Sequence, residues 1–328
     1  MTRFGNQKSF AVKLLVSSAL LIVVCRSVDF QEIRSQLSSM QAGRVAALLL
    51  VHWLSQAITA QRWRVVSQAL GMKGSYLNFF RMHFAGMFFS IGLPSLIGGD
   101  AIKALWSSRQ SGRPLSDGVA SVLQDRALGL SVLLVYGTAA AFLCPLVWHG
   151  VALSALYLVI WAGVAALILL VWRGERISRR WLRPDAPSLG GRILHRFAEF
   201  HRALAALRLS RGAAIQVLLL SLCNSALVIL VVQQVCVALG QRPDVAGVAS
   251  VVPLADVLMM IPVSLSGLGI RESAYVQLLP LLGMTAESAL AVALTSSALL
   301  ILRNLAGAIF IPAIPTALRR RGESMPNP

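Results

Sequence analysis

Long apolar blocks alternate with short polar stretches along the whole chain. The blocks run for roughly 17–26 residues, the length that an α-helix needs to cross about 30 Å of hydrocarbon. The strict alternation of membrane β-barrel strands is missing. The pattern therefore predicts an all-α polytopic membrane protein with about six full transmembrane helices, at residues 10–25, 45–61, 119–143, 151–172, 213–238 and 289–314.

Two further apolar stretches, 84–97 and 247–265, are interrupted by proline and glycine. Backbone that leaves the helical conformation at membrane depth must be buried in protein or face a polar cavity. Both stretches are therefore predicted to be broken helices that re-enter the membrane. The candidate helix-break residues are Pro94, Gly98, Gly99, Pro262, Gly267 and Gly269.

The charges of the loops predict on which side of the membrane each loop lies. Basic residues concentrate in 62–83, in 173–211 and at Arg319–Arg321, which the positive-inside rule assigns to the cytoplasm. The 144–150 loop has no Asp, Glu, Lys or Arg and 239–246 has one Arg and one Asp, so both are assigned to the outside. Both termini are then predicted to be cytoplasmic.

The number of membrane crossings supports the two re-entrant segments. Between the cytoplasmic 62–83 and the outer 144–150 the chain must cross an odd number of times, and segment 119–143 supplies one crossing. Segment 84–97 should therefore return to the cytoplasmic side, into a loop at 100–118. The same count makes 247–265 re-enter from outside, because 289–314 supplies the crossing.

The two broken segments also resemble each other in sequence. Each has a proline, then Ser-Leu, then Gly-Gly or Gly-x-Gly, and then an acidic and a basic residue. This pattern favours an inverted repeat with a first membrane half at 1–172, which contains 84–97, and a second at 212–328, which contains the broken segment 247–272. Two unrelated helix breaks are the alternative.

The halves are joined by a basic cytoplasmic linker at 173–211. Apolar residues recur at helical spacing within 192–207, which predicts an amphipathic helix on the membrane surface. A helix that binds a partner protein is the alternative.

Composition narrows the class further. The chain is 56% hydrophobic and 13% charged, which is typical of an integral membrane protein. The net charge of +17 lies mainly in loops without a nucleic-acid-reading motif, so no nucleic-acid partner is expected. No nucleotide-binding motif and no metal-ligand spacing occurs, so no cofactor or metal is predicted. The N-terminal apolar run lacks a cleavage site and is interpreted as an uncleaved span.

Ionisable residues inside membrane helices cost about 2.5–3.5 kcal/mol each on insertion scales, so each requires a reason. The sequence predicts that they line a polar, substrate-binding cavity in which arginines and half-helix N-termini hold an anionic group. The alternative is that Asp125 or Asp256 pairs with Arg303, near the middle of its span, to hold the bundle together. The candidates are Asp100, Lys103, Asp125, Arg126, Asp256, Arg271, Glu272 and Arg303.

Other polar residues within the apolar spans have a simpler interpretation. Five of them are predicted to form hydrogen bonds between helices: His52, Gln56, Asn224, Gln233 and Gln234.

Three motifs together resemble the lysylphosphatidylglycerol synthase transmembrane, or flippase-like, family of bacterial inner-membrane proteins. They are Pro94-Ser-Leu-Ile-Gly-Gly-Asp100 with Lys103, Asp125-Arg126 with Gly129, and Ser266-Gly-Leu-Gly-Ile-Arg-Glu272. The family more often has Glu-Arg at the second motif and Gly-Gly-Leu-Gly at the third. The resemblance implies a multi-pass protein that moves lipid between leaflets, without the soluble aminoacyltransferase domain of the lysyl-lipid synthases.

The first functional hypothesis is therefore an inner-membrane translocator of a lipid or lipid-linked headgroup, not an enzyme, whose partners are anionic or zwitterionic membrane lipids. A second is an accessory scaffold that docks a lipid-modifying glycosyltransferase or synthase through 173–211. A membrane-embedded transferase with Asp100 or Asp256 as a base is weaker, because no second carboxylate or histidine is placed beside either. A small-solute permease is disfavoured by the resemblance.

Overall fold

A computed structural model describes residues 40–92, 97–181, 209–259 and 269–311. These residues form mostly α-helices, with two short 3₁₀ segments, Leu279–Leu282 and Ala306–Phe310. The helices are α1 (Ala42–Ala69), α2 (Tyr76–Gly92), α3 (Ile97–Ser111), α4 (Leu115–Leu143), α5 (Leu153–Trp181), α6 (Arg211–Ala238), α7 (Val245–Met259), α8 (Ile270–Leu278) and α9 (Ala286–Leu305).

Between α4 and α5 lies a small antiparallel hairpin of two strands, Val147–Trp148 and Val151–Ala152. His149 and Gly150 both have positive φ, at 47° and 79°. This is the backbone that a two-residue type I′ turn requires.

Three of the described helices are long and apolar enough to cross a membrane: α4, α6, and α9 with its 3₁₀ extension to Phe310. Leu153–Ala166 and Val245–Met259 are shorter apolar helices. The predicted all-α polytopic membrane protein is thus confirmed. The total of six crossings stays a prediction, and the predicted span 10–25 and linker helix 192–207 lie outside the described residues.

The predicted boundaries near the first broken segment were wrong. Helix α1 continues eight residues past the predicted span end at 61, so the predicted loop 62–83 shrinks to the connection 70–75. Its later turns carry polar side chains that are buried, including Arg62 and Ser67. The predicted loop 100–118 is also mostly helix, because α3 runs to Ser111.

Helices α1–α4 and α6–α9 form two units with corresponding contacts. Helix α1 packs against α6, and each is 28 residues long. Helix α2 packs against α9, while α7 packs against α4. Within the units, α3 lies against α2 and α4, as α8 lies against α7 and α9. Helices α6 and α7 each begin 169 residues after α1 and α2.

The pairing of α1 with α6 indicates how the two units are related. Val66 clusters with Val217, Arg62 contacts Ser221, and Ser55 donates a hydrogen bond to Asn224, so the two helices run antiparallel. Ser55 and Asn224 are themselves 169 residues apart, so each contacts its counterpart. A twofold axis that exchanges α1 with α6 must be perpendicular to both helices, because they are antiparallel. If the two helices span a bilayer, such an axis lies in the plane of the membrane, which favours the predicted inverted repeat.

The apolar core is continuous across the two units. Its largest cluster joins α6, α7, α8 and α9 to buried residues of α1, α4 and α5, such as Leu48, Leu134 and Tyr157. A smaller cluster around Trp63 and Phe79 packs α1 to α4 together. The polar cavity described next lies between these packed regions.

Candidate functional site

A cavity of about 340 Å³ lies between the two units. Its wall includes seven of the eight predicted substrate-binding residues: Asp100, Lys103, Asp125, Arg126, Asp256, Arg271 and Arg303. They come from α3 and α4 of the first unit and from α7, α8 and α9 of the second. Glu272 is not part of the wall.

Arg62 anchors one side of the cavity through a buried ion pair. Its Nε lies 2.7 Å from Oδ1 of Asp125 and its Nη2 donates to Oδ2 at 3.3 Å, a two-point contact. Nη1 donates to Ser221 Oγ at 3.3 Å, which connects α1 and α4 to α6. The alternative in which Asp125 pairs with Arg303 was wrong, because both carboxylate oxygens of Asp125 bind Arg62.

Gly129 makes room for this ion pair. A Cβ atom at Gly129 would lie 2.6 Å from both terminal nitrogens of Arg62. Gly129 sits one helical turn after Asp125 on α4, so the guanidinium of Arg62 lies flat against the helix backbone. The glycine that the sequence places after Asp125-Arg126 thus has a steric role beside the cavity.

Asp100 forms the centre of a second charged group. Its Oδ1 binds Lys103 Nζ at 2.9 Å, and its Oδ2 binds Nε of Arg126. Lys103 also lies over the Trp63 ring, 5.2 Å from the centroid, a cation–π contact that stabilises its buried ammonium. One carboxylate therefore faces two cations, and the group retains a net charge of +1.

A third charged group belongs to the second unit. Arg271 donates to Met259 Sδ and Ser297 Oγ, and Arg303 donates through Nε to Asn304 Oδ1. Asp256 faces the same cavity within electrostatic range of both arginines. Among the described residues, neither arginine has a carboxylate oxygen within 4 Å.

The position of Arg303 differs from the prediction. It lies in the last turn of α9, not near the middle of its span, although the spanning segment continues through the 3₁₀ turn to Phe310. The alternative in which Arg303 pairs with Asp256 is also absent as a direct contact within the described residues.

Glu272 stabilises the start of α8. Its Oε2 accepts a hydrogen bond from the Gly269 backbone N–H at 2.7 Å, and its Oε1 accepts one from Ser297 Oγ at 2.6 Å. The side chain is fully buried, and its charge faces the positive end of the helix. Ser297 also accepts from Arg271, so Glu272 supports the cavity wall without lining it.

The predicted helix-break residues have different places. Gly98 and Gly99 lie in the first turn of α3, and Gly269, with φ of 85°, precedes α8. The remaining three, Pro94, Pro262 and Gly267, lie outside the described residues. Gly99 packs so closely on α2 that a Cβ atom there would overlap the Gly86 carbonyl oxygen.

Two ionisable residues of the cavity wall, Arg62 and His83, are not among the predicted site residues. Arg62 belongs to the predicted loop charges because the apolar run ends just before it, and the sequence gives His83 no role. His83 Nε2 lies 3.0 Å from Gln56 Oε1, and both residues line the cavity. The predicted interhelical hydrogen bonds of Gln56 and Asn224 are confirmed by this contact and by those of Asn224 with Ser55 and Thr59. Gln233 instead donates to the Pro243 carbonyl oxygen in the connection after its own helix, and Nε2 of His52 has no hydrogen-bond partner among the described residues. Arg62 lies inside the bundle because α1 continues to Ala69, a length that the sequence does not signal, since the apolar run ends just before Arg62.

Comparison with known proteins assigns the chain to a family. No curated protein and no solved structure compared with the chain matches it. The family model described as the lysylphosphatidylglycerol synthase TM region matches residues 10–307, which cover nearly the whole chain and all of the charged cavity residues. The chain belongs to the lysylphosphatidylglycerol synthase transmembrane-region family.

Proposed function

We propose that this membrane protein moves the headgroup of a lipid between the two leaflets through the cavity between its units, and that it is a translocator, not an enzyme. The observation that carries the proposal is the convergence of seven separately predicted charged residues, from both units, on one cavity. Ionisable groups at membrane depth are costly unless they are paired or serve a ligand. In the described part of the cavity wall, basic residues outnumber acidic ones.

The size of the cavity fits a headgroup better than a whole lipid. Ligand cavities commonly measure about 300–1,000 Å³, and 340 Å³ is near the lower limit. The headgroup would bind inside while the acyl chains remain in the surrounding bilayer. Its phosphate would contact Arg126, Arg271 and Arg303, whose guanidinium groups suit phosphate oxygens.

The proposal includes the setting of the protein. Loop charges support an inner-membrane location with both termini in the cytoplasm. The sequence has no nucleotide-binding motif, so ion gradients or removal of the transported lipid would drive net movement.

Transfer of a fluorescent phospholipid in reconstituted vesicles tests the proposal. An impermeant reductant quenches lipid in the outer leaflet, so leaflet transfer appears as additional quenching. We expect Arg271→Gln and Arg303→Gln to abolish transfer, because each removes a cation that faces the cavity. Arg242→Gln is the matched control, since Arg242 is exposed in the connection between α6 and α7.

Unchanged transfer in both cavity variants, with the protein still folded, would contradict the proposal. The accessory-scaffold hypothesis would then take first place, with lipid-modifying enzymes as the partners.

A further inference from the structure

Among the residues that the structure describes, the charged side chains of the cavity form three sets, and two of these sets have more cations than acids. Arg62 and Asp125 neutralise each other. The set from the first unit has one acid and two cations: Asp100, Lys103 and Arg126. The set from the second unit has the same composition: Asp256, Arg271 and Arg303. Each unit thus contributes one unbalanced positive charge to the same space.

The neighbouring segments do not alter this count. Residues 93–96 and 260–268, which flank the starts of α3 and α8, contain no ionisable side chain. Glu272 lies outside the wall, with its carboxylate bound to the Gly269 N–H and to Ser297. The described lining has five basic and three acidic residues, and so an excess of two positive charges.

We infer that the cavity binds a dianionic phosphate group, presented by a lipid phosphomonoester, with the two unbalanced cationic sets on either side of it. The inference rests on the proposed function and narrows its substrate class. A phosphomonoester carries a charge of about −1.5 to −2 at neutral pH and offers three terminal acceptor oxygens.

Other lipid headgroups match the cavity less well. A phosphodiester with an uncharged headgroup carries a single negative charge and leaves one cation unbalanced. A zwitterionic headgroup adds no net charge and leaves both unbalanced. Charges that are removed from water without a partner are strongly disfavoured, so an enclosed headgroup is favoured when it neutralises the wall.

Binding of short-chain lipids to the purified full-length protein tests this inference without any transport. The probes are phosphatidic acid, phosphatidylglycerol and phosphatidylcholine with identical acyl chains, and inorganic phosphate. The readout is the thermal melting temperature of the detergent-solubilised protein as a function of probe concentration. We expect phosphatidic acid to raise the melting temperature at a concentration about tenfold lower than phosphatidylglycerol, since it gains one more charge-assisted contact.

Two variants link the preference to the cavity. In Arg303→Gln, phosphatidic acid and phosphatidylglycerol should raise the melting temperature at similar concentrations, because the set from the second unit becomes neutral. Asp256→Asn should preserve or increase the preference, because it removes the acid of the same set. The exposed Arg242→Gln should behave like the unaltered protein. Arg271→Gln repeats the first test if Arg303→Gln does not fold.

The outcomes separate the two proposals. Equal effects of the three lipids on the unaltered protein would overturn the inference, while leaflet transfer of phosphatidylglycerol would still support the proposed function. If inorganic phosphate raises the melting temperature as strongly as phosphatidic acid does, the site binds a soluble ion, and the inference that the phosphate belongs to a lipid is overturned. Selective binding of phosphatidic acid with no leaflet transfer of any probe would uphold the inference and refute translocation.

Discussion

Arg62 and Arg303 both line the cavity, but their guanidinium groups have different partners. Arg62 is bound to both oxygens of Asp125, and the two side chains are only 5% and 4% exposed. Arg303 donates to the neutral Asn304 and faces the cavity. A buried ion pair that loses one member leaves a charge without a partner. Arg303 has no carboxylate oxygen within 4 Å among the described residues, so its removal breaks no ion pair there.

Arg62→Gln is therefore expected to destabilise the protein by about 3–5 kcal/mol, because Asp125 stays buried without its cation. Arg303→Gln is expected to change the stability little. Melting of both variants in detergent, followed by tryptophan fluorescence, measures the difference. The double variant Arg62→Met with Asp125→Leu should recover most of the loss, since it removes both charges. Equal melting of Arg62→Gln and the unaltered protein would contradict the structural role of Arg62.

The residue scale also shows what sequence patterns can and cannot predict. The cavity residues were found because charge inside an apolar block is costly and therefore conspicuous. Their pairing was not found, because the partner of Asp125 comes from a helix 63 residues earlier in the chain. Arg62 follows the last turn of an apolar run, where basic residues of a cytoplasmic loop would equally be expected.

At the scale of helices, close backbone contacts fix the short helix α3. A Cβ atom at Gly99 would overlap the Gly86 carbonyl oxygen of α2, and one at Gly118 would overlap the Ala104 carbonyl oxygen. Because the obstacle is backbone in both cases, a larger side chain must move a whole helix. Small residues commonly allow such close helix packing in membranes.

We expect Gly99→Ala and Gly118→Ala each to destabilise the protein by about 1–3 kcal/mol, the range for overpacked interiors. Both should also reduce lipid transfer, because α3 carries Asp100 and Lys103. Gly163→Ala in α5 is the control, since a Cβ atom there meets nothing within 4 Å. Melting temperature and transfer rate would be compared for the three variants. Variants at Gly99 and Gly118 that resemble Gly163→Ala would show that α3 has room to shift.

The existence of the helices was easier to predict than their ends. Apolar blocks identified α4, α6 and α9 because burial in lipid requires an uninterrupted apolar run. The end of α1 was missed because its later turns are stabilised by buried polar contacts, such as that of Trp63 Nε1 with Ser121 Oγ. The hairpin after α4 is too short to give a pattern in the sequence.

At the scale of the whole molecule, equivalent helices of the two units make equivalent contacts. Each second helix packs on the last helix of the other unit, α2 on α9 and α7 on α4. The sequence indicated this relationship through one short repeated motif only. The apolar side chains that form most of the contacts can be substituted for one another, so the two units need not repeat them in sequence. The antiparallel pair α1 and α6 supplies the direction that the motif lacks.

An inverted repeat determines which connections share a face of the membrane. The α1–α2 and α3–α4 connections should lie on the cytoplasmic face if α2 and α3 form a re-entrant pair, while the hairpin after α4 and the α6–α7 connection should lie on the other. Lys73, Gln110, Val147 and Arg242 are exposed in or beside these four places. Each can be replaced by cysteine in a chain whose own four cysteines are removed.

We expect an impermeant maleimide to label Lys73→Cys and Gln110→Cys in inside-out vesicles, and Val147→Cys and Arg242→Cys in right-side-out vesicles. The physical reason is that a re-entrant pair of α2 and α3, which pack against each other, would return the chain to its starting face, whereas α4 is long and apolar enough to cross. Labelling after detergent addition controls for the accessibility of every site. Labelling of Gln110→Cys and Lys73→Cys from opposite faces would make α2 and α3 a net crossing. The repeat would then lose its inverted geometry, and Asp100 and Lys103 would enter the cavity from the opposite side of the membrane.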